Sequence, residues 1–157
     1  MKNMNRDELI NIVGRIGEKI IGNMLRDAGH DVRETIDNFD SKKDLIVDGN
    51  ILVEVKTEQP YIKRNAITFR ENQLKKCRNV DALFFVSVPP LMNESYKWGG
   101  WIFKVDPKNF VCEKYQTKFG TRMIAIPIEQ ESVIPVRKLT EEELSYIKPY
   151  LTSDYAK

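Results

Sequence analysis

Asp44, Glu54 and Lys56 are the residues of this chain best suited to carry chemistry. The apolar runs Leu45-Ile46-Val47 and Ile51-Leu52-Val53 flank Asp48-Gly49-Asn50, so the pattern predicts a β-hairpin. Side chains alternate along a strand, which turns Glu54 and Lys56 to one side. A three-residue loop pairs Val47 with Ile51, and counting outward sets Asp44 opposite Glu54 on that same side. Two carboxylates held close on a half-buried sheet repel each other, and a divalent cation offsets the repulsion directly. Hard oxygen ligands suit Mg²⁺, with Mn²⁺ as a substitute, and the Val55 backbone carbonyl offers a further oxygen. Lys56 is then placed to contact a phosphate and an attacking water. The cation lowers the pKa of bound water and stabilises charge building on the phosphate. The plain alternative is a strand-start aspartate beside an ordinary exposed Glu–Lys pair.

Three surrounding features favour the chemical reading. The strands otherwise read as buried. A helical acid, Glu18, precedes them in Gly14-Arg15-Ile16-Gly17-Glu18, and a basic stretch follows. Glycine inside a helix costs about 1 kcal/mol against alanine, so Gly14, Gly17 and Gly22 need a reason. One reason is a helix pared down to let Glu18 approach the hairpin or a nucleic-acid backbone; the other is close helix–sheet packing with Glu18 solvated. From Lys56 to Arg78 seven basic residues face two acidic ones. Lys63, Arg64, Arg70, Lys75 and Lys76 are therefore candidates for phosphate contacts, against the bland reading of a solvated face.

The elements that must position these groups follow from periodicity and turn chemistry. Asn5 and Glu8 form a capping-box pattern ahead of Leu9, Val13, Ile16, Ile20 and Met24, which recur on one helix face. Gly29 ends that helix near Ala28. Thr68 and Glu71 suggest a second capping box and a helix to about Arg78. Strands are expected over Ala82 to Val88, Trp101 to Val105, Phe110 to Tyr115 and Arg122 to Ile126, with Leu91 to Lys97 as a loop. Thr140 and Glu143 cap a last helix ending near Ile147, before Pro149. Helix, hairpin, helix, strands and helix in that order imply an α/β or α+β fold, a central mixed β-sheet flanked by helices.

The chain of 157 residues is the size of one domain, and 41% hydrophobic with 31% charged residues describes a folded globular protein. No apolar run approaches the roughly 18–20 residues of a membrane span, and the N-terminus has no signal-peptide pattern, so a cytoplasmic protein is expected. Cys77 and Cys112 fit no zinc spacing and read as reduced structural residues. His30, the one histidine, follows Gly29 as a cap or surface residue. Tyr96, Trp98, Trp101 and Phe103 read as core aromatics, with a docking surface for an accessory protein as the other possibility.

Glu18, Asp44 and Glu54-Val55-Lys56 together resemble the PD-(D/E)XK nuclease superfamily, the restriction-endonuclease-like fold. Its pattern is a helical acid, an aspartate starting one strand, and (D/E)-X-K on the next. Lys43 stands where the proline of the name would be. Within the superfamily the run Gly17-Glu18 through Ala28-Gly29-His30-Asp31-Val32, and Ile51 to Thr57, look most like archaeal-type Holliday junction resolvases. Ser41 corresponds to a loop serine there, and Gln73 to a glutamine after the signature lysine; otherwise Gln73 is a surface helix residue. The resemblance covers residues 10–105 and implies Mg²⁺-dependent hydrolysis of DNA phosphodiester bonds by Asp44, Glu54, Lys56 and Glu18. It also implies a homodimer, since two strands need two cuts. Residues 106–157 look like an extension serving dimerisation or target choice. A restriction or homing-type endonuclease of the same fold, and a non-catalytic nucleic-acid-binding module, are the alternatives.

Overall fold

A computed structural model describes residues 4–34 and 45–156. Helix α1 (Arg6–Asp27) begins at Asn5, whose side chain accepts a hydrogen bond from the Glu8 amide, with Asp7 and Glu8 in the first turn. Its end is set by Gly29 at φ +96°, where the His30 amide turns back to the Leu25 carbonyl. After a short strand, β1 (Val32–Glu34), the hairpin of β2 (Leu45–Val47) and β3 (Ile51–Glu58) forms in the predicted register, Val47 against Ile51 and Leu45 against Val53. Asp48 and Gly49 both take positive φ in its turn. Asp48 also accepts from the Asp31 amide and meets His30 Nδ1 at 2.8 Å, so His30 ties the turn to the end of α1.

The next segment departs from expectation. Thr68 and Glu71 do not cap a helix. Thr68 lies within strand β4 (Ala66–Arg70), and its hydroxyl donates to the Gln59 carbonyl. Glu71 opens a short 3₁₀ turn (Glu71–Gln73), and helix α2 spans only Leu74–Asn79. The local Thr-x-x-Glu signal lost to pairing with a distant strand, and Ala66-Ile67-Thr68-Phe69 is buried throughout. Strands β5 (Ala82–Ser87) and β6 (Trp101–Val105) follow as expected. The strand expected over Phe110 to Tyr115 is displaced to β7 (Glu113–Gln116); it pairs with β8 (Arg122–Pro127). A further strand that the sequence reading lacked, β9 (Val133–Lys138), precedes α3 (Glu141–Ile147), which carries the expected Thr140–Glu143 capping box. A last short helix is α4 (Ser153–Ala156).

The strands form two sheets. The central one is mixed, in the order β1-β2-β3-β5-β6-β9, with β3 and β5 parallel and the other pairs antiparallel. The second is β4-β8-β7. One face of the central sheet presents Val53, Val55, Phe84, Val86 and Ile102 to Leu9, Val13, Ile20 and Ile21 of α1 and to Ile147 of α3. Its other face presents Leu83, Phe85, Phe103 and Val105 to Cys77 of α2 and to Ile67, Phe69, Ile124 and Ile126 of the second sheet. The sheet is thus flanked by helices, with a small second sheet sharing one side. Residues after 105 pack onto the earlier elements: β8 pairs with β4, β9 with β6, and Tyr155 of α4 joins the α1-side core. Trp98 packs edge-on against Trp101 and Phe103; Phe103 is buried in the core and the two tryptophans lie partly buried against it, whereas Tyr96 lies outside both clusters and donates to Asn65 Oδ1.

Candidate active site

Alternation along β3 decides which side chains meet. Val53 and Val55 enter the core beneath α1, so Glu54 and Lys56 face the other side, toward α2. Both are buried, 5% and 7% exposed. Charged groups at that depth persist only when paired. Lys56 Nζ donates to Gln73 Oε1 at 2.8 Å and lies 3.4 Å from Glu54 Oε1; Lys76 Nζ lies 3.3 Å from Glu54 Oε2. Gln73 is therefore a partner of the site lysine rather than a bystander on the helix surface.

Glu54, Lys56 and Gln73 line a cleft of about 730 Å³. Glu18 of α1, half-buried, lines it too, with Val55, Thr57 and Glu58. α1 comes this close because of one glycine. A Cβ at Gly17 would sit 1.7 Å from Thr57 Oγ1 and 2.8 Å from Thr57 Cβ. The same atom at Gly14 would meet nothing within 4 Å, and at Gly22 its nearest neighbour is Arg26 at 3.4 Å. Close helix–sheet packing and presentation of Glu18 to the cleft are thus one arrangement rather than alternatives. Beside Glu54 and Lys56, Cys77 lies wholly buried as a free thiol, pushed up to about 12 by burial, so it is protonated at neutral pH.

Asp44 lies outside the described residues, as do Ser41 and Lys43. Its neighbour Leu45 pairs with Val53, the residue before Glu54. Among the described residues no three His, Cys, Asp or Glu side chains stand close enough to hold a metal ion together. The oxygen donors expected for such an ion, from Glu18, Glu54 and the Val55 carbonyl, belong to residues that line one cleft.

The basic stretch that looked continuous in sequence is divided in space. Lys63 and Arg64 lie on the exposed 3₁₀ turn Ile62–Arg64 and do not line the cleft. Arg64 instead pairs with Glu113 at 2.9 Å and lies over the rings of Tyr61 and Tyr115. Lys75 is exposed on α2 outside the cleft, Lys76 pairs with Glu54, and Arg70 lines the cleft. The other cations of the cleft wall were missed by sequence reasoning: Arg6 and Arg15 of α1, and Lys118 of the β7–β8 turn. A signal for the first two existed. Asp7, Asn11, Gly14 and Glu18 recur at helical spacing and form a polar stripe beside the apolar one, with Arg6 and Arg15 at its edges. Glu58 was also legible, two residues beyond Lys56 on the same side of β3.

The arrangement can bind an anion with its rim cations and place it against a buried acid–lysine pair. Comparison with protein-family models, characterised proteins and solved structures finds no match to this chain.

Proposed function

We propose that this protein is a Mg²⁺-dependent endonuclease that hydrolyses DNA phosphodiester bonds, with a restriction-endonuclease-like core. The observation that carries this reading is the burial of Glu54 and Lys56 on one strand at a cleft that Glu18 also lines. In this reading Asp44, Glu54 and the Val55 carbonyl hold the cation, with Glu18 as a further or water-mediated ligand. Bound there, Mg²⁺ supplies Lewis acidity and a more acidic water. Lys56 places its ammonium beside the scissile phosphate and orients the attacking water, while Gln73 fixes the lysine side chain through the 2.8 Å hydrogen bond. Arg6, Arg15, Arg70 and Lys118 hold the flanking phosphates, so affinity falls with salt. A homodimer with two such sites, and a four-way junction as substrate, extend the likeness to the resolvases.

A non-catalytic nucleic-acid-binding module is the second reading. The observation favouring it is Lys76, which occupies the Glu54 oxygen that a cation would need. One experiment separates the two. Wild type and Lys56→Ala are given linear duplex, single strand, flap and four-way junction with Mg²⁺, Mn²⁺ or EDTA. Metal-dependent cutting that disappears in the folded Lys56→Ala protein is the expected result. Binding without cutting of any substrate would select the module.

A further inference from the structure

Outside the acid–lysine cluster, the β7–β8 turn presents the most conspicuous group on the cleft wall. Phe119 is 82% exposed, although it belongs to an ordered turn. The Gly120 amide donates to the Thr117 carbonyl at 2.9 Å, the Thr117 amide to the Thr121 carbonyl at 2.9 Å, and the Thr121 amide to Thr117 Oγ1 at 3.1 Å. Gly120, at φ +87°, completes the tight bend. The ring is therefore held out by its backbone, and a large aromatic surface faces water beside a catalytic-type cleft. Lys118 Nζ stands 5.2 Å from the ring centroid, a cation over a π-face. Arg70, Asn72 and Thr121 belong both to the cleft and to a smaller depression that runs on to Arg122. The turn thus stands where one groove leaves the buried acids and continues past Arg70, Glu71 and Arg122.

A flat apolar ring beside two or three cations matches a nucleotide: the ring takes the base face and the cations take its phosphates. In a continuous duplex the base faces are already stacked on their neighbours, so such a ring finds a free face only where bases are unpaired. We infer that Phe119 is a base-stacking platform, and that the cleft takes DNA with an unpaired strand rather than uninterrupted duplex. Lys118, Arg70 and Arg122 hold the phosphates on either side of the stacked base. This inference rests on the nucleic-acid reading of the cleft and narrows its substrate.

The test is equilibrium binding in EDTA, by fluorescence anisotropy, of a labelled mixed-sequence single strand and of its blunt duplex. Phe119→Ala is expected to weaken single-strand binding about tenfold or more, because one stacked base contributes on that scale. Phe119→Trp is expected to restore it. The salt dependence should be unchanged in both, since no charge is lost, whereas Lys118→Gln should lower the salt slope by about one phosphate contact. Phe119 lies at the surface, so these variants remain folded. Single-strand binding unaffected by Phe119→Ala would overturn the inference, as would an equal loss on duplex, which would indicate a wedge between paired bases. Absence of binding to either probe would overturn it too. Metal-dependent cleavage that survives in a Phe119→Ala protein of normal affinity would leave the nuclease reading standing and remove this one. Phe119-dependent binding without cleavage would do the reverse.

Discussion

Gly17→Ala should destabilise the protein, although alanine is the better helix former. The added Cβ would stand 1.7 Å from Thr57 Oγ1, 2.8 Å from Thr57 Cβ and 3.0 Å from Thr57 Cγ2. A change of rotamer at Thr57 moves the hydroxyl and methyl, yet Cβ is anchored to β3 and stays too close. α1 must therefore move away from the sheet, opening the layer that Val13, Ile20 and Ile21 fill. Overpacking of this kind costs about 1–3 kcal/mol, and the helix-propensity gain returns about 1 kcal/mol. A net loss of up to about 2 kcal/mol is expected, or a fall of up to about 8 °C in Tm. Gly14→Ala is the internal control. It adds the same atom to the same helix where nothing lies within 4 Å, so the propensity gain of up to about 1 kcal/mol should appear in full. Thr57→Ala in the Gly17→Ala background should recover part of the loss, because it removes two of the three clashing atoms. It also removes a buried hydroxyl that has no hydrogen-bond partner among the described residues. Urea denaturation of the four proteins and the double-mutant cycle reads all of this. A Gly17→Ala protein as stable as Gly14→Ala, or no coupling to Thr57, would refute the close approach of α1 to β3.

Two further outcomes are expected. Glu143 closes the α3 capping box and accepts two hydrogen bonds from Arg137, at 2.7 and 3.0 Å; Arg137 chiefly holds its carboxyl below the usual glutamate value of about 4.3. Its stabilising effect is therefore full above that value and lost as pH falls through the lowered folded-state value. Glu143→Gln should cost about 1–2 kcal/mol at pH 7, and less at acid pH; urea midpoints that fall in parallel for both proteins would contradict this. Glu54→Leu removes the buried carboxylate that both Lys56 and Lys76 approach and should cost about 3–5 kcal/mol. The triple variant Glu54→Leu, Lys56→Met, Lys76→Met should be more stable than that single variant, and a less stable triple would show that the cluster itself holds the fold together.

The parts of the fold that were legible in sequence are those decided locally. The hairpin register followed from Asp48-Gly49-Asn50, whose left-handed conformations at Asp48 and Gly49 leave few alternatives. α1 followed from Asn5 and one apolar stripe, and α3 from Thr140 and Glu143. The parts that were not legible are decided by distant partners. Ala66-Ile67-Thr68-Phe69 has strand-forming residues, yet Thr68 and Glu71 also satisfy a helix start, and only pairing with β8 resolves the conflict. β9 carries Pro135 and exposes Ile134 and Val136, which disguises a strand; both features suit its place as the outer strand of the central sheet. The site divides along the same line. Glu54 and Lys56 were found through the period of one strand. Lys118 and Phe119 come from a turn with no local pattern that links it to the cleft.

Stability alone gives no reason for the floor of that cleft. A buried carboxylate between two ammonium groups repays its desolvation poorly, and apolar side chains of similar volume would fill the same space at lower cost. Around it the buried positions are mostly apolar: Val53 and Val55 on the opposite side of β3, Leu83 and Phe85 beside Glu54 and Lys56 on β5. Glu54 and Lys56 share one face of β3, and they occur where several elements leave an opening rather than a seal. Gly17 adds to this. It gives up helix propensity to bring α1 within contact of Thr57, and that approach sets Glu18 on the same opening. Local departures from the most stable choice that converge on one concave place are the expected mark of a site under functional constraint. The acid–lysine strand, the glycine and the exposed aromatic turn have no shared structural cause. A bound strand carrying both phosphates and an unstacked base is one partner that would use all three.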